Sequence, residues 1–191
     1  MLKKGSILNL EIDSLTYGGK GISKYEGIVI FTNNVLPGQK IEAKIIKKKK
    51  KFLEAIPLNV IKDSKHKTKP NCSHFNDCGG CKSQNLIYEE QLKQKYNQVV
   101  DSLKFLGNIK NPHVKAMIGC KNIFEYRNKM EFSFSNQRWL INSEKNKLNE
   151  KPKDFALGLH PPKRFDKIVD IDNCDLQSKV ANEILIIIKD M

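Results

Sequence analysis

No run in this 191-residue sequence approaches the roughly 18 consecutive apolar residues that a membrane span requires. The opening stretch, MLKKGSILNLEID, also lacks the apolar block of a secretory signal. These absences argue against membrane-spanning and secreted classes and lead to a cytoplasmic reading. Cysteine is sparse, at five residues and an odd count. A reducing compartment disfavours structural disulfides, so clustered thiols there are left for metals or catalysis. Arginine is nearly missing: of 34 basic residues only Arg127, Arg138 and Arg164 carry a guanidinium. A lysine bias of the kind an AT-rich genome imposes accounts for the choice of cation. It does not account for the excess over 21 acids, which leaves a net charge of +13. That excess points to a polyanionic partner, nucleic acid ahead of an anionic membrane, with a generic basic surface as the plain alternative. Repeats are absent, and the only low-complexity stretch is the lysine run at 47–51.

Helical periodicity is also absent from the first 61 residues. They break into the strand-like runs SILNLEIDSL, GIVIFT, QKIEAKIIK and FLEAIPLNVI, separated by YGGKG, NNVLPGQ and KKKK. Short strands with Gly, Pro and Asn punctuation predict a small closed β-barrel over 1–62. The YGGKG segment reads as a hairpin connection rather than a nucleotide-binding loop. Residues 62–71, KDSKHKTKPN, are polar and Pro-ended and read as a linker into a second domain at 63–191.

In that second part, Leu86, Leu92, Tyr96, Val99, Val100 and Leu103 recur near helical spacing. They predict a helix over about 84–106, with Ser83 as N-cap and Gly107 as terminator. In YRNKMEFSFS, Tyr126, Met130, Phe132 and Phe134 share one parity, and Arg127, Lys129 and Glu131 the other, the pattern of a half-buried strand. FALGLH and KIVDID read as strands flanking a PPKRF turn, and LQSKVANEILIIIKDM as a helix. Its Ile184, Leu185, Ile187 and Ile188 meet no later element in the sequence. Either a further segment covers them, or the helix packs back on its own domain.

The densest chemistry is NCSHFNDCGGC. Cys72, Cys78 and Cys81 form C-x5-C-G-G-C, and Cys174 stands far downstream in DIDNCDL. Three local thiolates and one remote one suit an iron–sulfur cluster, whereas structural zinc more often shows two short C-x2-4-C pairs or Cys/His knuckles. Zinc and unliganded or redox thiols stay open on spacing alone. Lacking Cβ, Gly79 and Gly80 can take unusual dihedrals, admit a close backbone and aim N–H groups at sulfur. His74 reads as a bystander inside the loop, and Cys120 as a buried or partly buried free thiol.

These segments resemble the N-terminal half of the SAM-dependent RNA uracil-5-methyltransferases that carry a TRAM domain and a 4Fe-4S cluster. LTYGGKGISKYEGIVIFTNNVLPGQKIEAKIIKKKKKFLEA is similar to the TRAM barrel, CSHFNDCGGC to the cluster loop, YRNKMEFSF to a central-domain strand, and VDIDNCDLQ to the segment bearing the fourth cysteine. The resemblance implies an OB-like TRAM barrel followed by a small α+β iron–sulfur domain, mainly β overall, with Cys72, Cys78, Cys81 and Cys174 as cluster ligands. It implies that SAM and the catalytic cysteine belong to a further domain of the full-length enzyme, on which the 84–106 helix would pack. No residue here is expected to be catalytic, and the chain alone is expected to be inactive.

RNA is the expected partner of a monomeric chain, ribosomal RNA ahead of tRNA, because TRAM-plus-cluster members resemble the ribosomal enzymes more. Lys20, Lys24, Lys44, Lys48 and Lys50 are the candidate phosphate contacts, with Lys40, Lys47, Lys49 and Lys51 adding charge. Tyr17, Tyr25, Phe31 and Phe52 are interleaved with them, Phe31 and Phe52 being expected in the barrel core. Arg127 and Lys129 are the candidates beside a target nucleotide, with Asn128 capping or pairing in the sheet. Two other readings remain: a stand-alone RNA-binding iron–sulfur module, and a radical-SAM RNA-modifying protein. Radical-SAM chemistry typically uses C-x3-C-x2-C and no fourth protein thiolate, which differs from the set here.

Overall fold

The computed structural model describes residues 2–141, 144 and 154–191. By packing, the chain divides into two compact units, each discontinuous in sequence: Met1–Thr68 with Asn85–Gly119, and Lys69–Gln84 with Cys120–Met191.

The first unit contains β1 (Ile7–Glu11), β2 (Ser14–Leu15), β3 (Gly21–Tyr25), β4 (Ile28–Thr32), β5 (Lys40–Lys48), β6 (Phe52–Lys62) and the helix α1 (Tyr88–Phe105). The strands form one sheet in the order β1-β5-β6-β4-β3-β2, antiparallel except for the β4–β6 pair. Its pairings leave β1 and β2 as the two ends of the ladder, so the expected closed barrel is not formed by hydrogen bonding. β1 nonetheless approaches β3, which shows that the sheet curls. Alternation drives this, because one face of the strands supplies Leu10, Ile30, Ile41, Ala43, Ile45, Leu53 and Ala55 to a single buried core, completed by Ile12 and Val35. The four sequence runs match β1 with β2, β4, β5 and β6. Strand β3 was missed because ISKY follows directly on the glycine-rich turn.

Two glycines of this unit have separate reasons. Gly38 takes φ +80° in the LPG turn, where Gln39 Oε1 accepts from Leu36 N and Gln39 Nε2 donates to Asp63. Gly21 is needed for contact: a Cβ there would lie 2.3 Å from Val35 Cγ2. The stretch predicted as linker is partly structured, since Ser64 is buried and Lys67 forms a bridge with Leu86.

Helix α1 begins at Tyr88, after an Ile87 N-cap without a side-chain hydrogen bond, so Ser83 is not its cap. Its buried residues are Glu90 and Gln94 rather than the apolar set, because it is tied to β2 by polar side chains. Gln94 Oε1 accepts from Leu15 N at 2.9 Å, and Gln98 Nε2 donates to the Leu15 and Thr16 carbonyls.

The second unit holds β7 (Ser133–Ser135), β8 (Arg138–Trp139), β9 (Ala156–Leu159), β10 (Ile168–Asp170) and the helix α2 (Lys179–Asp190). The sheet order is β7-β9-β10-β8, with β8 parallel to β10 and the other pairs antiparallel. FALGLH and KIVDID become β9 and β10 as expected. The YRNKMEFSFS strand shrinks to β7, leaving Tyr126, Asn128 and Phe134 exposed, because residues 125–127 bond to the Cys174 segment instead. Ser178 caps α2 by accepting from Ala181 N. Leu185 is buried while Ile184, Ile187 and Ile188 stay exposed. Among the described residues no helix is long and apolar enough to cross a membrane.

Candidate cluster site and nucleic-acid surface

Cys72, Cys78, Cys81 and Cys174 line one cavity, together with His74, Gln84, Arg127, Met130, Leu159, Ile171 and Asp175. Backbone pairing delivers the remote cysteine: Glu125 N donates to Asp175 O and Arg127 N to Leu176 O, while Asn71 Nδ2 reaches Asp175 Oδ2 at 3.1 Å. Asn182 of α2 clasps the same segment, its Oδ1 accepting from Cys174 N at 2.9 Å and its Nδ2 donating to Cys174 O. Cys174 is thereby buried among Leu157, Val169, Ile171 and Leu185, with Cys78 and Met130 against it.

The loop is shaped from both sides. Gly79 N donates to His160 O at 2.9 Å, and a Cβ on Gly79 would lie only 2.7 Å from that oxygen. Gly80 N points at Cys78 Sγ at 3.3 Å. Neither glycine adopts a positive φ, so close approach explains them and unusual dihedrals do not. Gln84 bridges the loop ends, its Oε1 accepting from Cys72 N and its Nε2 donating to Cys81 Sγ at 3.3 Å. Sequence reasoning missed Gln84, since a glutamine three residues after a cysteine carries no ligand signal.

Burial, more than anything else, pushes the thiols of Cys72, Cys78 and Cys81 up, Cys78 to about 11. Their mutual repulsion and that of Cys174 add to it, while the Arg127 guanidinium pulls Cys81 partly back. Thiols raised in this way ionise together only when a cationic centre compensates their charge. Among the described residues no three His, Cys, Asp or Glu side chains are grouped to hold a single metal ion. The four thiols nonetheless line one shared space. That space is about 20 Å³. His74 is buried beside the cysteines, and Cys120 is exposed, not buried, with its Sγ donating to Asn122 O.

The candidate RNA contacts are dispersed. Lys24 and Lys44 lie on the face of the curled sheet turned from the core, on strands separated by β4 and β6. Lys20 sits in the β2–β3 turn, Lys50 is exposed between β5 and β6, and Lys48 Nζ donates to Leu2 O. Phe31 and Phe52 are not in the core: Ile30, Thr32 and Leu53 point inward, so the two rings meet edge to face on the outer side, 5.3 Å apart. In the second unit Arg127 and Lys129 are exposed, Lys129 pairing with Glu131. Arg127 also lines a groove of about 540 Å³ with Tyr126, Phe132, Phe134 and Gln177.

The geometry thus joins in one chain a curled β-sheet, with lysines on its outer side, and a four-thiol cavity. Residues 2–58 match the family model of the TRAM domain, so the chain carries a TRAM domain. It is homologous to RNA methyltransferases: an uncharacterized RNA methyltransferase of Chlorobaculum tepidum is 38% identical over 191 residues, covering 98% of this chain and 40% of that protein. Another, of Bacteroides thetaiotaomicron, is 39% identical over 172 residues, 90% of this chain and 38% of the relative. The chain thus spans about two fifths of the length of these relatives. Its fold is similar to part of the tRNA (uracil-54, C5)-methyltransferase of Pyrococcus abyssi, with a TM-score of 0.54 and 21% identity over 95% of this chain and 36% of the other.

Proposed function

We propose that this chain is the RNA-binding and iron–sulfur-bearing portion of a SAM-dependent RNA uracil-5-methyltransferase, acting in the cytoplasm on ribosomal RNA ahead of tRNA. The observation that carries this reading is the convergence of Cys72, Cys78, Cys81 and Cys174 on one cavity in a chain that also holds a TRAM domain. Those four residues would hold a 4Fe-4S cluster, which when bound supplies a rigid cross-link between the 72–81 loop and the Cys174 segment.

Around it, Gln84, Gly80 and Arg127 offset thiolate charge, and Asn182 fixes the remote cysteine. The TRAM lysines attract the phosphate backbone, and the Arg127 and Lys129 side chains face RNA from the second unit. A base inside folded RNA must leave its stack before its ring carbons can be reached, so the part played by these residues is to grip and position RNA. SAM binding and the bond-making steps are assigned to no residue of this chain.

Anaerobic purification with iron and acid-labile sulfide analysis tests the cluster: both are expected in the wild type and lost in Cys174→Ser. Zinc without sulfide overturns it. The target is tested by binding to ribosomal RNA fragments against tRNA, in which tighter tRNA binding reverses the assignment. Affinity falls steeply with salt if lysine–phosphate contacts dominate. Formation of 5-methyluridine by the 191-residue chain itself overturns the division of labour.

A further inference from the structure

The β2–β3 connection is held more firmly than a surface turn needs, and it carries a tyrosine that buries almost nothing. Thr16 N donates to Lys20 O at 2.8 Å, Lys20 N to Thr16 Oγ1 at 3.0 Å, and Gly19 N to Thr16 O at 2.9 Å. Beneath the turn, α1 holds the strand end: Gln94 accepts from Leu15 N, and Gln98 donates to the carbonyls of Leu15 and Thr16. Gln94 is buried and is itself fixed by its Nε2 donating to Glu90 Oε1 at 2.7 Å. A clamp of side chains from a helix far along the chain thus immobilises a five-residue loop.

Tyr17 is nevertheless 95% exposed. Tyrosine ordinarily covers its ring and gives its hydroxyl a partner, so full exposure on a rigid support calls for a reason. Gly18 beside it supplies a second clue. Its φ is not positive, and a Cβ there would meet only Thr16 Oγ1 at 3.9 Å, so neither backbone conformation nor packing demands glycine. What the missing side chain leaves is a bare flank next to the ring. Lys20 closes the same turn, and Lys24 follows on β3 with its side chain exposed.

We propose that the Thr16–Lys20 tip is a stacking site for one unpaired base of single-stranded RNA, with Tyr17 as the platform and Lys20 meeting the adjacent phosphate. This rests on the RNA-binding reading above and names the form of RNA the domain selects. A tyrosine has few rotatable bonds, so an anchored one loses little freedom on binding. Stacking tolerates any base but needs its face free, which a duplex denies.

The test is fluorescence anisotropy of the chain with a short oligouridine and with a duplex of the same length. Tyr17→Ala is expected to weaken single-strand binding about tenfold, with duplex binding unchanged and Tyr17→Trp close to wild type. Its salt dependence keeps the wild-type slope, whereas that of Lys20→Gln becomes shallower by about one. Because Tyr17 packs on nothing, an unchanged far-ultraviolet spectrum is expected for the variants. Wild-type binding with no loss in Tyr17→Ala, or equal loss on duplex, overturns the stacking site alone. Absence of RNA binding by the wild type overturns the RNA-binding reading and the stacking site with it.

Discussion

The two units solve the same problem by different means. In the strand-rich unit the buried cluster is aliphatic, drawn mainly from β1, β4, β5 and β6 with Ser23 and Thr32 buried beside it, and apolar burial dominates what holds the sheet in its curled form. In the other unit the strands are short, and the buried cluster is Leu157, Val169, Ile171, Leu185 and a cysteine, with a second cysteine against it. A neutral cysteine packs in such a place as a small hydrophobe, whereas its thiolate is disfavoured there. The contrast teaches that apolar burial dominates the first unit, while the second also gathers four thiols around one cavity, so the two are expected to answer differently to loss of a thiol.

The strongest way to break this comparison is to remove the fourth thiol. Structural metal sites contribute on the order of 10 kcal/mol, far more than any single contact in the unit. Cys174→Ser is therefore expected to release amide protection across β9, β10 and α2 while β3 to β6 stay protected, as measured by hydrogen exchange with mass spectrometry. Retained protection in the second unit would show that its apolar residues suffice. The converse change is Ile45→Ala, which empties part of the fully buried core of the first unit. A loss of about 2–5 kcal/mol in the denaturant transition of that unit is expected, with iron and sulfide content unchanged. A coupled loss of iron would mean that the units do not stand apart energetically.

How much of this was legible beforehand follows the same divide. In the first unit alternation and turn chemistry carry the signal, and the runs around Ile30, Ile45 and Leu53 mark their strands directly. Residue type, not alternation, misled for Phe31 and Phe52: aromatics suggest a core, but adjacency to the inward Ile30 and Leu53 puts them outside. In the second unit spacing disclosed the cysteines but not what assembles them. Asn71 acts through one hydrogen bond across a long separation, and Asn182 and Gln84 through pairs of side-chain bonds to backbone and sulfur, none of which leaves a period in the sequence. Nor does α1 follow its apolar pattern, because Gln94 and Gln98 dock it by satisfying backbone groups of Leu15 and Thr16.

Alkaline pH sharpens the contrast from the side of the second unit. Burial works against the Lys189 ammonium, but hydrogen bonds to Asp170 and Asp172 outweigh it and hold the lysine above its ordinary value. Lys189 Nζ lies 2.8 Å from Asp170 and also reaches Asp172, tying the last turn of α2 to the end of β10. A raised folded value means the contribution is complete below the lysine range near about 10.4 and disappears as pH climbs through the folded value. Lys189→Met is expected to lower the stability of the second unit by about 2 kcal/mol at neutral pH and to flatten its decline above that range. An undiminished alkaline decline in the variant would assign it to other groups.

The smallest effect lies at the acid end and in the first unit. Asp63 is held below its ordinary value chiefly by the hydrogen bond from Lys67, then by that from Gln39, against a modest opposing effect of burial. Gln39 is also the side chain that closes the LPG turn, so Asp63 supports Gly38 and Leu36 through one intermediary. Its folded value is lowered, so its stabilisation is present above the usual carboxylate range near about 3.9 and fades as pH falls through the folded value. The Lys67 pair is solvent-exposed on both sides, which limits it to on the order of 0.5 kcal/mol. Asp63→Asn keeps an acceptor for Gln39 while removing the charge. It is therefore expected to retain the turn, lose about that half kilocalorie at pH 7 in the denaturant transition of the first unit, and lessen its acid sensitivity. Salt at high concentration mimics the substitution, because an exposed ion pair is screened. A loss of several kilocalories would instead show that the turn depends on the carboxylate itself, and the first unit would then share the second unit's reliance on a buried-end polar clasp.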